Sequence, residues 1–174
     1  MPAKEQRPFM PLGAAVLTIS DTRSEDTDAS GNLLVERLTG AGHELRDRAL
    51  VKDDIYAIRA TLSRWIVDPQ IEVILCTGGT GVTGRDGTPE AVSVLLDKEI
   101  DGFGEMFRAI SFDDIGTSSL QSRCLAGVAN GTYVFCLPGS TNACVVGWDK
   151  IIALQLDYRT RPCNLAELMP RLEE

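Results

Sequence analysis

Histidine is nearly absent from this chain, with His43 the only one among 174 residues. One imidazole gives little support to a Ser-His-Asp triad or to a histidine-based metal centre. The cysteines Cys76, Cys124, Cys136, Cys144 and Cys163 are odd in number, and no two have Cys-x-x-Cys spacing. Neither a disulfide framework nor a zinc site is expected, and reduced thiols in a cytoplasmic setting are the default. Long hydrophobic runs are also missing. Stretches such as Val73-Ile74-Leu75-Cys76 fall far short of the roughly 20 apolar residues of a membrane helix. The first eight residues, Met1 to Pro8, hold no apolar signal core, so secretion is not expected. Basic residues are scarce: 17 Lys and Arg stand against 25 Asp and Glu, a net charge of −8 with no Lys/Arg cluster. Nucleic acid is therefore a poor partner. A small polyanion can still be held by a few arginines, helix N-termini or a metal ion.

What is present reads as a single α/β domain over residues 13–174, after a polar arm over residues 1–12 that is expected to be flexible. Gly13 to Ser20 is an almost continuous apolar run, the pattern of a strand buried on both faces. An acidic loop, Asp21 to Asp28, leads to a helix that Ser30 can cap and Gly42 can close. Glu44 to Val51 fits a second strand. Ile55, Ile58, Leu62, Trp65 and Ile66 then share one helical face, with Asp53 or Asp54 as cap. Glu72 to Thr77 is a third apolar strand, and Pro89 begins the next helix. Phe103, Met106, Phe107 and Ile110 mark a further helix face. Cys124 to Ala129 and Tyr133 to Leu137 are strands joined by Asn130-Gly131, a strong hairpin signal. Ser140 can cap a last helix through Leu156. Alternating strands and helices predict a mainly parallel sheet covered on both faces, with one antiparallel hairpin. Ligands of such folds sit at the carboxyl ends of strands. Here those ends are Ser20-Asp21, Asp53, the loop from Gly78, and Pro138-Gly139-Ser140.

Four segments of the chain could carry chemistry. In Thr77-Gly78-Gly79-Thr80-Gly81-Val82-Thr83-Gly84-Arg85-Asp86, glycines let backbone N–H groups approach an anion. The embedded Gly79-x-Gly81-x-x-Gly84 imitates a dinucleotide fingerprint. It follows the third strand instead of the first, and no acidic residue ends a strand about 20 residues on, so nicotinamide binding is disfavoured. A Walker A lysine is absent. Asp53 and Asp86 each lie just past a strand, and one or two carboxylates suffice to hold Mg2+ against substrate phosphates. Asp53 is alternatively a helix cap. In Gly116-Thr117-Ser118-Ser119-Leu120-Gln121-Ser122-Arg123, hydroxyls and an arginine suit phosphate, or Thr117 or Ser118 caps a helix. Pro138-Gly139-Ser140-Thr141 is either an anion-binding helix start or an ordinary corner.

In this order and spacing, these segments resemble the MoaB/MogA family of molybdenum-cofactor biosynthesis proteins, and its bacterial MoaB branch in particular. The resemblance is carried by Gly78-Gly79-Thr80-Gly81 with Asp86 and Pro89-Glu90, by Gly102-Phe103-Gly104-Glu105, by Ser122-Arg123, by Leu137-Pro138-Gly139-Ser140-Thr141 and by Arg159-Thr160-Arg161-Pro162-Cys163-Asn164. It runs from about Ala14 to Leu165. It implies a molybdopterin-binding α/β fold assembled as a trimer or hexamer. It implies further that the terminal phosphate of molybdopterin attacks the α-phosphate of ATP in a magnesium-dependent adenylylation. Asp53 and Asp86 are implied as catalytic and metal-binding. Ser20, Gly78, Gly79, Thr80, Gly81, Arg85, Glu105, Ser118, Ser122, Arg123, Pro138, Gly139 and Ser140 are implied as substrate contacts. Thr141 stands where the established adenylyltransferases of the superfamily have a second proline, and this keeps open a non-catalytic, molybdopterin-binding alternative.

Overall fold

Every residue of Gly13–Ile19 is buried in β1, because the strand is covered on both faces. In the computed structural model, which describes residues 7–174, alternate side chains of each central strand enter different cores. Ala14 and Val16 of β1, Val73 and Leu75 of β3 (Val73–Thr77) and Tyr133 and Phe135 of β6 (Thr132–Leu137) face one cluster with Leu34, Leu38, Phe103, Phe107 and Ile152. Ala15, Leu17, Ile74, Cys76, Val134 and Cys136 face the other, with Ile58, Leu62 and Trp65. Thus α1 (Ala29–Gly40), α4 (Asp101–Ile115) and α5 (Thr141–Gly147) cover one face, and α2 (Ile55–Ile66) and α3 (Thr88–Ser93) the other. Continuous apolar strands are what such double coverage requires.

The sheet order is β2-β1-β3-β6-β5-β4. β2 (Glu44–Val51), β1, β3 and β6 run parallel. β5 (Leu125–Ala129) and the two-residue β4 (Lys98–Glu99) add antiparallel pairings at one edge. The Asn130-Gly131 hairpin forms as read, with both residues at positive φ, 47° and 77°. The last helix also forms, with a π-helical stretch at Trp148–Ile152 before α6 (Ala153–Leu156).

Several local expectations change. Asp28, not Ser30, caps α1, accepting from the N–H of Gly31. The Ser30 hydroxyl donates instead to the carbonyl of Gly139. Asp54 caps α2, which leaves Asp53 free of that task. Gly116–Gln121 is a 3-10 turn with no side-chain cap, so neither Thr117 nor Ser118 serves as one. Of the residues expected to form a flexible arm, 1–6 lie outside the described residues. Within the rest, the Leu12 N–H donates to His43 Nδ1, the Phe9 ring lies 5.1 Å from the His43 ring, and Arg7 pairs with Glu167. Burial pushes the His43 pKa below its usual value, which favours the neutral ring that can accept this bond.

The chain goes from β1 outward to β2, then back across β1 to β3, so the direction of winding switches between β1 and β3. Such a switch point opens a crevice at the strand ends. Gly78 closes the distance there. It has φ +110°, and a Cβ on it would stand 2.0 Å from the Ile19 carbonyl oxygen. Its N–H donates to Leu137 O at 3.0 Å, so one residue ties together the ends of β1, β3 and β6. Gly78→Ala is expected to destabilise the fold by about 3 kcal/mol, through a clash at a left-handed position. Gly84→Ala, where an added Cβ meets nothing within 4 Å, should change stability by less than about 0.5 kcal/mol. Urea denaturation of the two variants checks the contrast, and equal effects would contradict the role given to Gly78.

Candidate functional site

A cavity of about 670 Å³ lies at the carboxyl ends of β1, β3 and β6. Ser20, Asp21 and Arg23 line it from the end of β1. Asp53, Gly78 to Gly81 and Asp86 line it from the β2 and β3 ends. Phe107, Ser111, Asp114 and Ile115 come from α4, Ser118 and Ser122 from the following turn, and Pro138, Gly139, Ser140 and Val146 from the β6–α5 corner. The structure thus brings together all but three of the residues expected at the site. Arg85 lies in a neighbouring groove with Asp54 and Tyr56. Glu105 lies in another, with Glu99 and Arg108. Arg123 lies beneath the glycine loop.

The glycine loop is held by its carbonyls. Gly78 O accepts from the Thr88 hydroxyl at 2.8 Å and Gly79 O from the Thr88 N–H at 3.0 Å. Thr80 O accepts from the Arg123 N–H at 3.0 Å and Gly81 O from Arg123 Nε at 2.7 Å. The Arg123 guanidinium also donates to Asp86 O and pairs with Glu90. With the oxygens fixed from behind, the N–H groups of Gly79 and Thr80 have no acceptor among the described residues. That is the arrangement of a backbone anion site. Arg123 therefore shapes this loop and does not reach into the cavity.

The carboxylates differ from one another. Asp86 accepts from the Thr83 N–H at 2.9 Å and the Thr83 hydroxyl at 2.5 Å. The Thr83 bonds hold its carboxyl below the usual range. Asp21 takes Arg85 in a two-pronged bond at 2.8 and 2.9 Å and accepts from the Asp53 N–H at 3.2 Å. Arg85 likewise lowers its pKa. Asp53 is the exception. Its Oδ1 is buried without a hydrogen-bond partner among the described residues, and a Cβ on Gly79 would stand 2.7 Å from it. Burial pushes its pKa up, and the charges of Asp21 and Asp86 push the same way. A buried carboxylate oxygen without a donor, beside two other acids, suits a hard divalent cation. Among the described residues no three His, Cys, Asp or Glu side chains converge into a complete metal cage. Mg2+ needs none, since it keeps waters and takes substrate phosphates beside one or two carboxylates.

Sequence reasoning passes over Arg23 and Asp28, because a polar stretch between strand and helix reads as an ordinary loop. Asp28 is fully buried. It accepts from the Thr18 hydroxyl at 2.6 Å, the Gly31 N–H at 2.9 Å and Arg48 at 2.9 Å, and Arg23 lies 3.6 Å away. Burial opposes its charge, but these hydrogen bonds outweigh it and hold the pKa below the usual value. Phe107 was legible only as core. The signal for a second role was its place one turn before Ser111, on a helix whose end borders the hydroxyl-rich turn.

Residues 15–158 match the family model described as a probable molybdopterin binding domain. The molybdenum cofactor biosynthesis protein B of Escherichia coli (strain K12) is 54% identical over 156 residues, spanning 90% of this chain and 92% of that one. A crystal structure of a molybdenum cofactor biosynthesis protein B superposes with a TM-score of 0.86 at 40% identity, covering 96% of this chain and 99% of that chain. The tungsten cofactor synthesizing protein MoaB from Pyrococcus furiosus gives 0.74 at 36% identity, with 82% and 91% covered.

The unpartnered Asp53 leads to a stability prediction. A carboxyl whose folded pKa is raised contributes stability that is fully present below its unfolded pKa and is lost as pH rises through the folded value. Asp53→Asn, neutral throughout, escapes that loss. In metal-free buffer it should melt higher than wild type by on the order of 2 °C near pH 7, with the difference shrinking toward about pH 4. A lower melting temperature at neutral pH would show that the Asp53 charge is already satisfied.

Proposed function

The chain belongs to the MoaB/MogA family of molybdenum-cofactor biosynthesis proteins, and from that premise we propose that its cavity binds molybdopterin and joins it to AMP from Mg-ATP, releasing pyrophosphate. The observation that carries the reading is the glycine loop with its carbonyls engaged and its Gly79 and Thr80 N–H groups free, set against the unpartnered Asp53. A polyanion site and a cation site share one wall.

The terminal phosphate monoester of molybdopterin has a second pKa of about 6 and is largely ionised at neutral pH. No strong general base is needed, which fits a chain whose single histidine is occupied with Leu12. A phosphate oxygen attacks the α-phosphorus of ATP, a P–O–P bond to AMP forms, and the bond to pyrophosphate breaks. The work of the protein is to position two anions and to offset their repulsion. Asp53 and Asp86 would hold Mg2+, which supplies charge neutralisation between the phosphates when bound. The Gly79 and Thr80 N–H groups orient phosphate oxygens, with the Ser118 and Ser122 hydroxyls as further contacts. The Ser122 Oγ, buried with no hydrogen-bond partner among the described residues, fits a ligand contact.

Residues 13–174 act as one domain, in the cytoplasm, as a trimer or hexamer. The exposed Met106, Phe112, Ile115 and Leu120 on and after α4 support self-association. A second reading, a molybdopterin-binding or assembly protein without catalysis, is favoured by one feature: Thr141 at the start of α5, in place of the proline of the established adenylyltransferases.

Purified protein given molybdopterin, ATP and Mg2+ should release pyrophosphate steadily, and Asp86→Asn should cut that rate by about 100-fold. Full turnover in Asp86→Asn would remove Asp86 from the chemistry. No release from wild type, alongside saturable molybdopterin binding, would select the non-catalytic reading.

A further inference from the structure

Three arginines surround the candidate site, and they are not equivalent. Arg123 spends its donors on Gly81 O, Asp86 O and Glu90. Arg85 turns its fork onto Asp21 and lines a separate groove. Arg23 alone among them lines the main cavity. Its Nη2 donates to Gly139 O at 2.8 Å, and its Nη1 stands 3.6 Å from Asp28. These two contacts set the plane of the guanidinium and leave most of its N–H groups without a partner among the described residues. The side chain keeps 29% of its surface exposed, against 1% for Asp28. It is anchored from the protein side and open from the cavity side.

The surroundings make this cation consequential. Asp21, Asp53, Asp86 and Asp114 all line the same cavity, so an incoming phosphate meets mainly negative side chains. A guanidinium presents paired donors that match two oxygens of a phosphate, and it stays charged at every relevant pH. Arg23 also joins two walls, since it leaves from the β1 loop and ends on the Pro138-Gly139-Ser140 corner.

We infer that Arg23 is the phosphate-binding cation of this cavity, oriented by Asp28 and Gly139, and that it receives the phosphate monoester of the ligand. The assignment rests on the proposed function for the identity of that ligand, molybdopterin or the nucleotide, and not for the phosphate chemistry itself. Asp28 is a positioning residue here, holding Arg23 without touching the ligand.

Calorimetric titration of the full chain with AMP, with molybdopterin and with inorganic pyrophosphate tests it. Arg23→Gln is expected to weaken at least one of them by about tenfold to a hundredfold. Loss confined to AMP assigns Arg23 to the nucleotide phosphate, and loss confined to molybdopterin assigns it to the pterin phosphate. Arg23→Lys, which keeps charge without the fork, should fall between the two. It also serves as the reporter if a thermal melt shows that the glutamine variant is unfolded. Arg46→Gln, at the far end of β2, removes the same charge and should bind as wild type does. Unchanged binding of all three probes by Arg23→Gln, or a larger loss from Arg85→Gln, overturns the assignment. Wild type that takes pyrophosphate through Arg23 but ignores molybdopterin would keep this inference and defeat the cofactor reading. Binding of none of the probes would defeat both.

Discussion

A negative charge buried at Asp28 organises this end of the molecule. An ionised carboxylate out of reach of water is costly unless donors surround it. Here they come from four places: Thr18 on β1, Arg48 on β2, the first turn of α1, and Arg23 from the connecting loop. Satisfying one charge therefore fixes the relative positions of two strands, a helix and an arginine. Removing the carboxylate would take from Arg23 and Arg48 the anion they share. The β1–α1 connection is tied to both strands through that charge, and the cavity takes one wall from it.

The second wall is built on the reverse principle. From Gly78 to Gly81 the chain satisfies its oxygens, using the Thr88 hydroxyl and N–H and two donors from Arg123, and leaves the Gly79 and Thr80 nitrogens without an acceptor among the described residues. Nearby, Asp53 is left with an unpartnered buried oxygen, and its helix is capped by Asp54 instead. An unmet donor and an unmet acceptor so close to each other both cost stability, whereas a polar core pairs its groups. The two unmet groups are of opposite polarity, donors on the loop and an acceptor on the acid.

Much of the architecture was legible in order. The nearly continuous apolar runs at residues 13–19 and 73–77 have the pattern of strands covered on both faces. Asn130-Gly131 announced its hairpin, since both positions need positive φ. Helical spacing from Ile55 to Ile66 gave α2 its buried face. β4 was invisible, because Lys98–Glu99 is two charged residues whose extended form depends on pairing with β5. The cap of α1 was misread at Ser30, because Ser and Asp are both good caps and the choice was made by Thr18 and Arg48, which lie far from it in sequence.

The sequence by itself determined the fold class, the family and the edge of the sheet where the cavity-lining segments meet, because these follow from periodicity, strand ends and an ordered set of motifs. The tertiary structure alone decided which side chains face the cavity. Arg85, Glu105 and Arg123 belong to the motifs but are turned onto Asp21, toward a separate groove and into the loop. Arg23, in no motif, lines the cavity. A motif records which residues stand side by side along the chain, whereas the direction of an arginine is set by the nearest unsatisfied acceptor in space, and that acceptor comes from elsewhere in the sequence.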